Sequence, residues 1–169
     1  MITGPESSGK TTLTRQLVEH FKAVEVTEFA RDYLSKRNGK YGFEDLALIA
    51  KGQLEIENAA NHAGTELLIC DTSLEVLKIW SQVRFGKVDD FIASNVVKNL
   101  PDLFLLCKPD LQWQEDSLRE NPHNRDQLFE MYNNELENLN VTTVLIEGVG
   151  NERFHLGAGA IRKLLPQIL

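Results

Sequence analysis

This chain of 169 residues has two cysteines, five prolines and only 18 basic side chains against 25 acidic ones. It also lacks any run near the roughly 20 apolar residues that a membrane-spanning helix needs. Each scarcity excludes something. Cys70 and Cys107 each close an apolar, strand-like run and have no histidine pair beside them, so neither a disulfide framework nor a zinc site is expected. They read as two buried thiols of a reducing, cytoplasmic compartment. A formal net charge of −7 argues against broad contact with a nucleic-acid backbone. His20, His62, His123 and His155 form no metal-ligand spacing. There is no repeat and no low-complexity tract. No signal peptide is expected, because a functional loop already stands at the first residues. No feature specifies an oligomeric state. The length fits one domain over residues 1–169.

What is present begins at Gly4. The run Gly4-Pro5-Glu6-Ser7-Ser8-Gly9-Lys10-Thr11 is a complete G-x-x-x-x-G-K-[ST] phosphate-binding loop. Two glycines let the backbone bend so that its N–H groups converge on phosphate oxygens. Lys10 brings a charge to the β- and γ-phosphates, and the Thr11 hydroxyl is the expected Mg²⁺ ligand. Glu6, Ser7, Ser8 and Thr12 complete the expected ATP-binding set. Leu13, Leu17, Val18 and Phe21 recur at helical spacing behind the loop. Only Met1-Ile2-Thr3 precede it, fewer than the roughly 4 to 8 residues of a buried strand, so the natural strand is expected to begin upstream.

The rest of the chain alternates. Strands are expected at 23–27, 67–70, 103–107 and 141–146. Helices are expected at 28–36, from Phe43 to about His62 with Gly64 as its stop, at 74–83, 89–100, 125–139 and up to about Leu165. Such alternation implies an α/β fold with a parallel sheet covered by helices on both faces. Ligands then bind beyond the carboxyl ends of the strands. That rule selects Glu28, Asp71, the charged segment 108–124, and the loop from Gly148 to Arg153.

Asp71 follows an apolar run, as a Mg²⁺-handling acid does, although Asp71-Thr72-Ser73 also suits a helix N-cap. Glu28 is placed to accept the proton of an acceptor hydroxyl, with Arg31 orienting it or the substrate; helix-dipole stabilisation is the plainer reading. Glu28 and Asp71 compete for the role of base. Segment 108–124 reads as a lid whose Arg119 stabilises transferred charge, with Arg125 as a second phosphate-side cation. Trp80 can stack on a base or simply pack in the core, and Arg153 can lie over an adenine ring or be solvated.

The loop GPESSGKT, Glu28-Phe29-Ala30-Arg31-Asp32-Tyr33, Lys51-Gly52-Gln53, Cys70-Asp71-Thr72 and Trp113 through Arg119 together resemble the ribosylnicotinamide kinase domain of NadR-type proteins, catalogued among AAA-type P-loop ATPases. The resemblance covers essentially the whole chain. It implies a three-layer P-loop NTPase fold with a five-stranded parallel sheet in the order 2-3-1-4-5. It also implies transfer of the ATP γ-phosphate to the 5′-hydroxyl of nicotinamide riboside. By position, Glu28 and Asp71 match the acidic pair, Arg119 the lid arginine, and Gln53 a substrate contact. Thr27 stands where some members carry an aromatic residue. The usual upstream adenylyltransferase is not in this sequence, so no adenylyl transfer is expected from it.

The expectation is therefore a Mg²⁺-ATP-dependent kinase of a small nucleoside-like molecule. Its rivals are a kinase of another metabolite such as a deoxynucleoside, an ATP-binding regulatory or interaction module, and a simple ATPase.

Overall fold

The computed structural model describes residues 1–61, 65–116 and 118–167. Five short strands alternate with helices. Strand β1 (Ile2–Thr3) leads through the glycine-bearing loop into α1 (Lys10–Phe21), and β2 (Val24–Val26) leads into α2 (Phe29–Ser35) and α3 (Phe43–Asn61). Strand β3 (Leu68–Cys70) is followed by α4 (Leu74–Phe85) and α5 (Asp90–Lys98). After β4 (Phe104–Cys107) come α6 (Arg125–Leu139), β5 (Thr143–Ile146) and α7 (Asn151–Leu164). The expected elements are all present, with ends moved by one to three residues, as fraying ends do. The expected stop of α3 at His62 and Gly64 lies outside the described residues. No helix among the described residues is long and apolar enough to cross a membrane.

All strand pairs are parallel, but they form two ladders rather than one continuous sheet. Strands β1, β4 and β5 form a three-stranded ladder in the order β1-β4-β5; β2 and β3 form the other. Among the described residues the two meet at a single bridge, Ile2 with Asp71. There the Thr72 N–H donates to Ile2 O at 3.0 Å, while the Asp71 N–H donates to Val26 O at 2.9 Å. The five-stranded ladder of the expectation is therefore not continuous: β1 offers only two residues, and its Ile2 meets Asp71, the residue just past the end of β3.

Strand β4 shows how the layers assemble. Leu105 and Cys107 pack on Leu13 and Leu17 of α1 and Ala158 and Ile161 of α7. Phe104 and Leu106 point the other way, onto Ile79 of α4 and Leu128, Tyr132 and Leu136 of α6. This period-two alternation with both faces apolar is what two covering helix layers require. Burial of each such side chain contributes about 1.5 to 3 kcal/mol. The outer strands are less covered: Leu145 of β5 and Val24 of β2 are partly exposed. A third cluster joins α2 to α5 through Leu34, Leu46, Ile49, Leu77 and Ile92, with Tyr41 and Trp80 at its margin. That cluster forms the wall opposite the loop.

Candidate active site

The loop after β1 holds its shape through glycine. Gly4 has φ 130°, and a Cβ there would lie 2.5 Å from Cys107 O, so no other residue fits. Gly9, at φ 80°, opens α1. The Ser8 hydroxyl donates to Pro5 O at 2.7 Å, bracing the turn from inside. Lys10 Nζ donates to Gly4 O at 2.9 Å and Pro5 O at 2.8 Å, so its charge arches over the cradle. The Thr11 hydroxyl donates to Asp71 Oδ2 at 2.6 Å. Asp71 is buried, and its second oxygen has no hydrogen-bond partner among the described residues. An orphaned carboxylate oxygen beside a hydroxyl is a hard-oxygen donor set of the kind Mg²⁺ takes. The following residue, Thr72, sits at φ 89°, a strained conformation for a β-branched side chain.

Opposite the loop stands Glu28, at the N-terminus of α2. Burial pushes its carboxyl above the ordinary range, against the pull of Lys10 and Arg31. Arg31 Nε lies 3.2 Å from Glu28 Oε2. Glu28, Arg31 and Trp80 line the same cavity as the loop residues Gly4 to Thr12, a space of about 230 Å³. Gln53 is not on that wall. It is buried on α3, accepts the Phe29 N–H at 2.9 Å and donates to Glu57 at 2.8 Å. The expectation of a substrate contact is corrected: both ends of the amide are used inside the protein, to hold the turn that presents Glu28.

Segment 108–124 lies across the loop. The Gln114 N–H donates to the Ser7 hydroxyl at 2.9 Å. The Glu6 carboxylate accepts the N–H groups of Glu120, at 3.1 Å, and Asn121, at 2.8 Å. Glu6 and Ser7 therefore spend their side chains on this segment and leave backbone N–H groups for a ligand. Arg119 lines the cavity and donates to Gln114 O at 2.5 Å. Arg125 donates to Ser7 O at 3.3 Å and Leu111 O at 3.0 Å, bracing the loop from outside the cavity lining. Thr12 lines the cavity and is exposed.

Arg153 gives the second correction. Far from lying open over a ring, it is 4% exposed. Its guanidinium donates to Ser8 O at 2.6 Å, Gly148 O at 3.2 Å and Asp110 Oδ1 at 2.5 Å. It clamps the back of the loop to the ends of β4 and β5. Residues that sequence reasoning missed are Tyr41 and Asp116, which contact Trp80 and Arg31 respectively. Neither belongs to a periodic stripe, so no local pattern marks them.

Comparison with known proteins finds similar chains. The family model described as "AAA domain" matches residues 1–153. The chain is 26% identical over 122 residues to the trifunctional NAD biosynthesis/regulator protein NadR of Escherichia coli strain K12, covering 70% of this chain and 30% of that protein. The same figures hold for the protein of that name from Salmonella typhimurium strain LT2. A NadR crystal structure in complex with NAD and AMP-PNP superposes with a TM-score of 0.81 at 21% identity, over 96% of this chain and 48% of that one. A NadR complex with NR gives the same TM-score and identity, over 98% and 50%. The chain thus spans about a third of the length of these relatives and about half of the solved chains, and the superpositions establish a shared α/β P-loop-like fold.

Proposed function

The chain belongs to the AAA domain family, and on that footing we propose that it is a Mg²⁺- and ATP-dependent kinase of a nucleoside-like hydroxyl. The favoured acceptor is nicotinamide riboside, and nicotinamide mononucleotide is the product. One observation carries the reading: a single cavity is lined on one side by the phosphate loop and on the other by Glu28, Arg31 and Trp80. A pure nucleotide switch needs only the first side. The relatives named for NAD biosynthesis, and the similar folds that hold AMP-PNP in one case and NR in another, support the same assignment.

In this reading residues 1–169 are one kinase domain working in the cytoplasm, and segment 108–124 is its lid. The two ladders act as one sheet of order 2-3-1-4-5 joined at the Ile2–Asp71 bridge. The loop N–H groups and Lys10 hold the β- and γ-phosphates. Thr11 and Asp71 would hold Mg²⁺, which when bound neutralises phosphate charge. Glu28 is the base. It lines the cavity, whereas Asp71 is closed on Thr11. The acceptor oxygen forms a bond to the γ-phosphorus as its proton passes to Glu28. The bond to the β–γ bridging oxygen breaks, and ADP leaves with that electron pair. Arg119 faces the transferred group from the lid.

Purified protein is assayed with Mg²⁺-ATP against nicotinamide riboside and a panel of ribo- and deoxyribonucleosides. Nicotinamide riboside is expected to give the highest kcat/KM. Preference for a deoxynucleoside would move the acceptor, in keeping with Thr27, and no turnover with any of them would overturn the kinase reading.

A further inference from the structure

Two acids of the lid reach past the phosphate loop to the acceptor side. Asp116 Oδ2 accepts from Arg31 at 3.1 Å, and Arg31 Nε faces Glu28 at 3.2 Å. Glu120 Oε2 accepts the Tyr41 hydroxyl proton at 2.8 Å, and the Tyr41 oxygen accepts the Trp80 indole N–H at 2.9 Å. Each acid therefore ends a two-step chain. Asp116–Arg31–Glu28 ends at the proposed base, and Glu120–Tyr41–Trp80 ends at the aromatic wall.

Neither chain is needed to bind phosphate. Arg31 is about half exposed, with a carboxylate at each of two forks, so its direction is set by both. Asp116 is itself fixed, because the Leu118 N–H donates to its other oxygen at 3.0 Å. The backbone of Glu120 is held by Glu6. Tyr41 carries one proton, and giving it to Glu120 leaves a lone pair aimed at the indole. Burial pushes that hydroxyl up to about 12, so it stays a donor near neutral pH.

Resting on the kinase reading above, we infer that Asp116 and Glu120 are positioning residues through which the closed lid sets the acceptor end of the cavity. Asp116 aims Arg31 and hence Glu28; Glu120 fixes Tyr41 and hence Trp80. Neither touches a reacting atom. Because lid closure and acceptor binding share these contacts, each must favour the other.

Asp116→Ala and Glu120→Ala are made in the full chain and compared in steady-state kinetics. The acceptor KM is expected to rise at least about fivefold while the ATP KM stays within about twofold. Glu120→Gln keeps an oxygen for the Tyr41 hydroxyl and is expected to restore the acceptor KM. An active enzyme with an unchanged acceptor KM, or with both KM values raised together, overturns the inference. A second readout is independent of turnover: hydrogen exchange at the Trp80 indole N–H, followed by NMR. It is expected to quicken in Glu120→Ala and not in Glu120→Gln. If no nucleoside is turned over by the parent protein, the kinase reading fails by itself; an indole signal unchanged in Glu120→Ala then also overturns the coupling of lid to wall.

Discussion

The Thr11 hydroxyl donates to Asp71 Oδ2 at 2.6 Å, joining the first turn of α1 to the end of β3 across 60 positions of sequence. The contact leaves the other, buried Asp71 oxygen without a partner among the described residues.

Asp71→Asn removes the charge while keeping the shape. Turnover is expected to fall about 100-fold or more, in the range of a lost electrostatic contact at a reacting phosphoryl group. The Mg²⁺ concentration for half-maximal activity is expected to rise. A Mg²⁺ titration of activity checks both.

Glu28→Gln is expected to lower kcat by about 10² to 10⁴, the usual contribution of a general base. Binding of a non-hydrolysable ATP analogue, read by calorimetry, should be nearly unchanged, as should protection of the proposed lid from protease. In the proposed mechanism turnover requires Glu28 ionised, and burial raises the pKa of this carboxyl. Its rate should therefore climb with pH through a step above the ordinary carboxylate range, and that step should be absent from the variant.

Glu57 lies buried beside Gln53, and burial pushes its carboxyl from 4.5 to about 7. Between those values the unfolded chain has lost the proton and the folded chain has kept it. Stability is therefore full below the unfolded pKa and is lost as pH rises toward and through 7. Glu57→Gln is expected to flatten this loss, which is on the order of 3 kcal/mol. Urea denaturation of both proteins at pH 4.5 and pH 8 checks it.

Arg153→Ala leaves Ser8 O and Gly148 O without their donor. The expected cost is about 3 kcal/mol, seen as a lower urea midpoint at constant slope. ATP affinity should fall with it, because the loop loses its rear support. Arg153→Lys should recover little, since one ammonium cannot reproduce the planar fork.

Gly52→Ala pushes a methyl into the ring of Phe29, the residue after Glu28. Overpacking of this kind costs about 1 to 3 kcal/mol. A fall in melting temperature together with a loss of kcat is expected, because displacing the ring moves the turn that carries Glu28.

The parts legible in the sequence are those whose chemistry is local. The loop from Gly4 to Thr11 announces itself because each position meets a backbone or charge requirement within a few residues. The strands ending at Cys70 and Cys107 are legible because burial on both faces demands continuous apolar runs. Gln53 and Arg153 were misplaced for the same physical reason. A polar side chain on a helix faces the cavity or the interior according to packing that no neighbour in sequence specifies. Gln53 turned inward to satisfy the Phe29 N–H, and Arg153 turned under the loop to satisfy carbonyls from three separate segments.

Composition, periodicity and the loop motif were thus sufficient for an α/β chain with a phosphate site, because those signals arise from forces acting within one helix turn or one strand. Folding alone decided that Glu28 rather than Asp71 faces the cavity, and that Asp116 and Tyr41 stand behind Arg31 and Trp80. Those relations span 39 to 85 residues. They arise from which surfaces the packed helices bring together and which buried polar groups must then be satisfied.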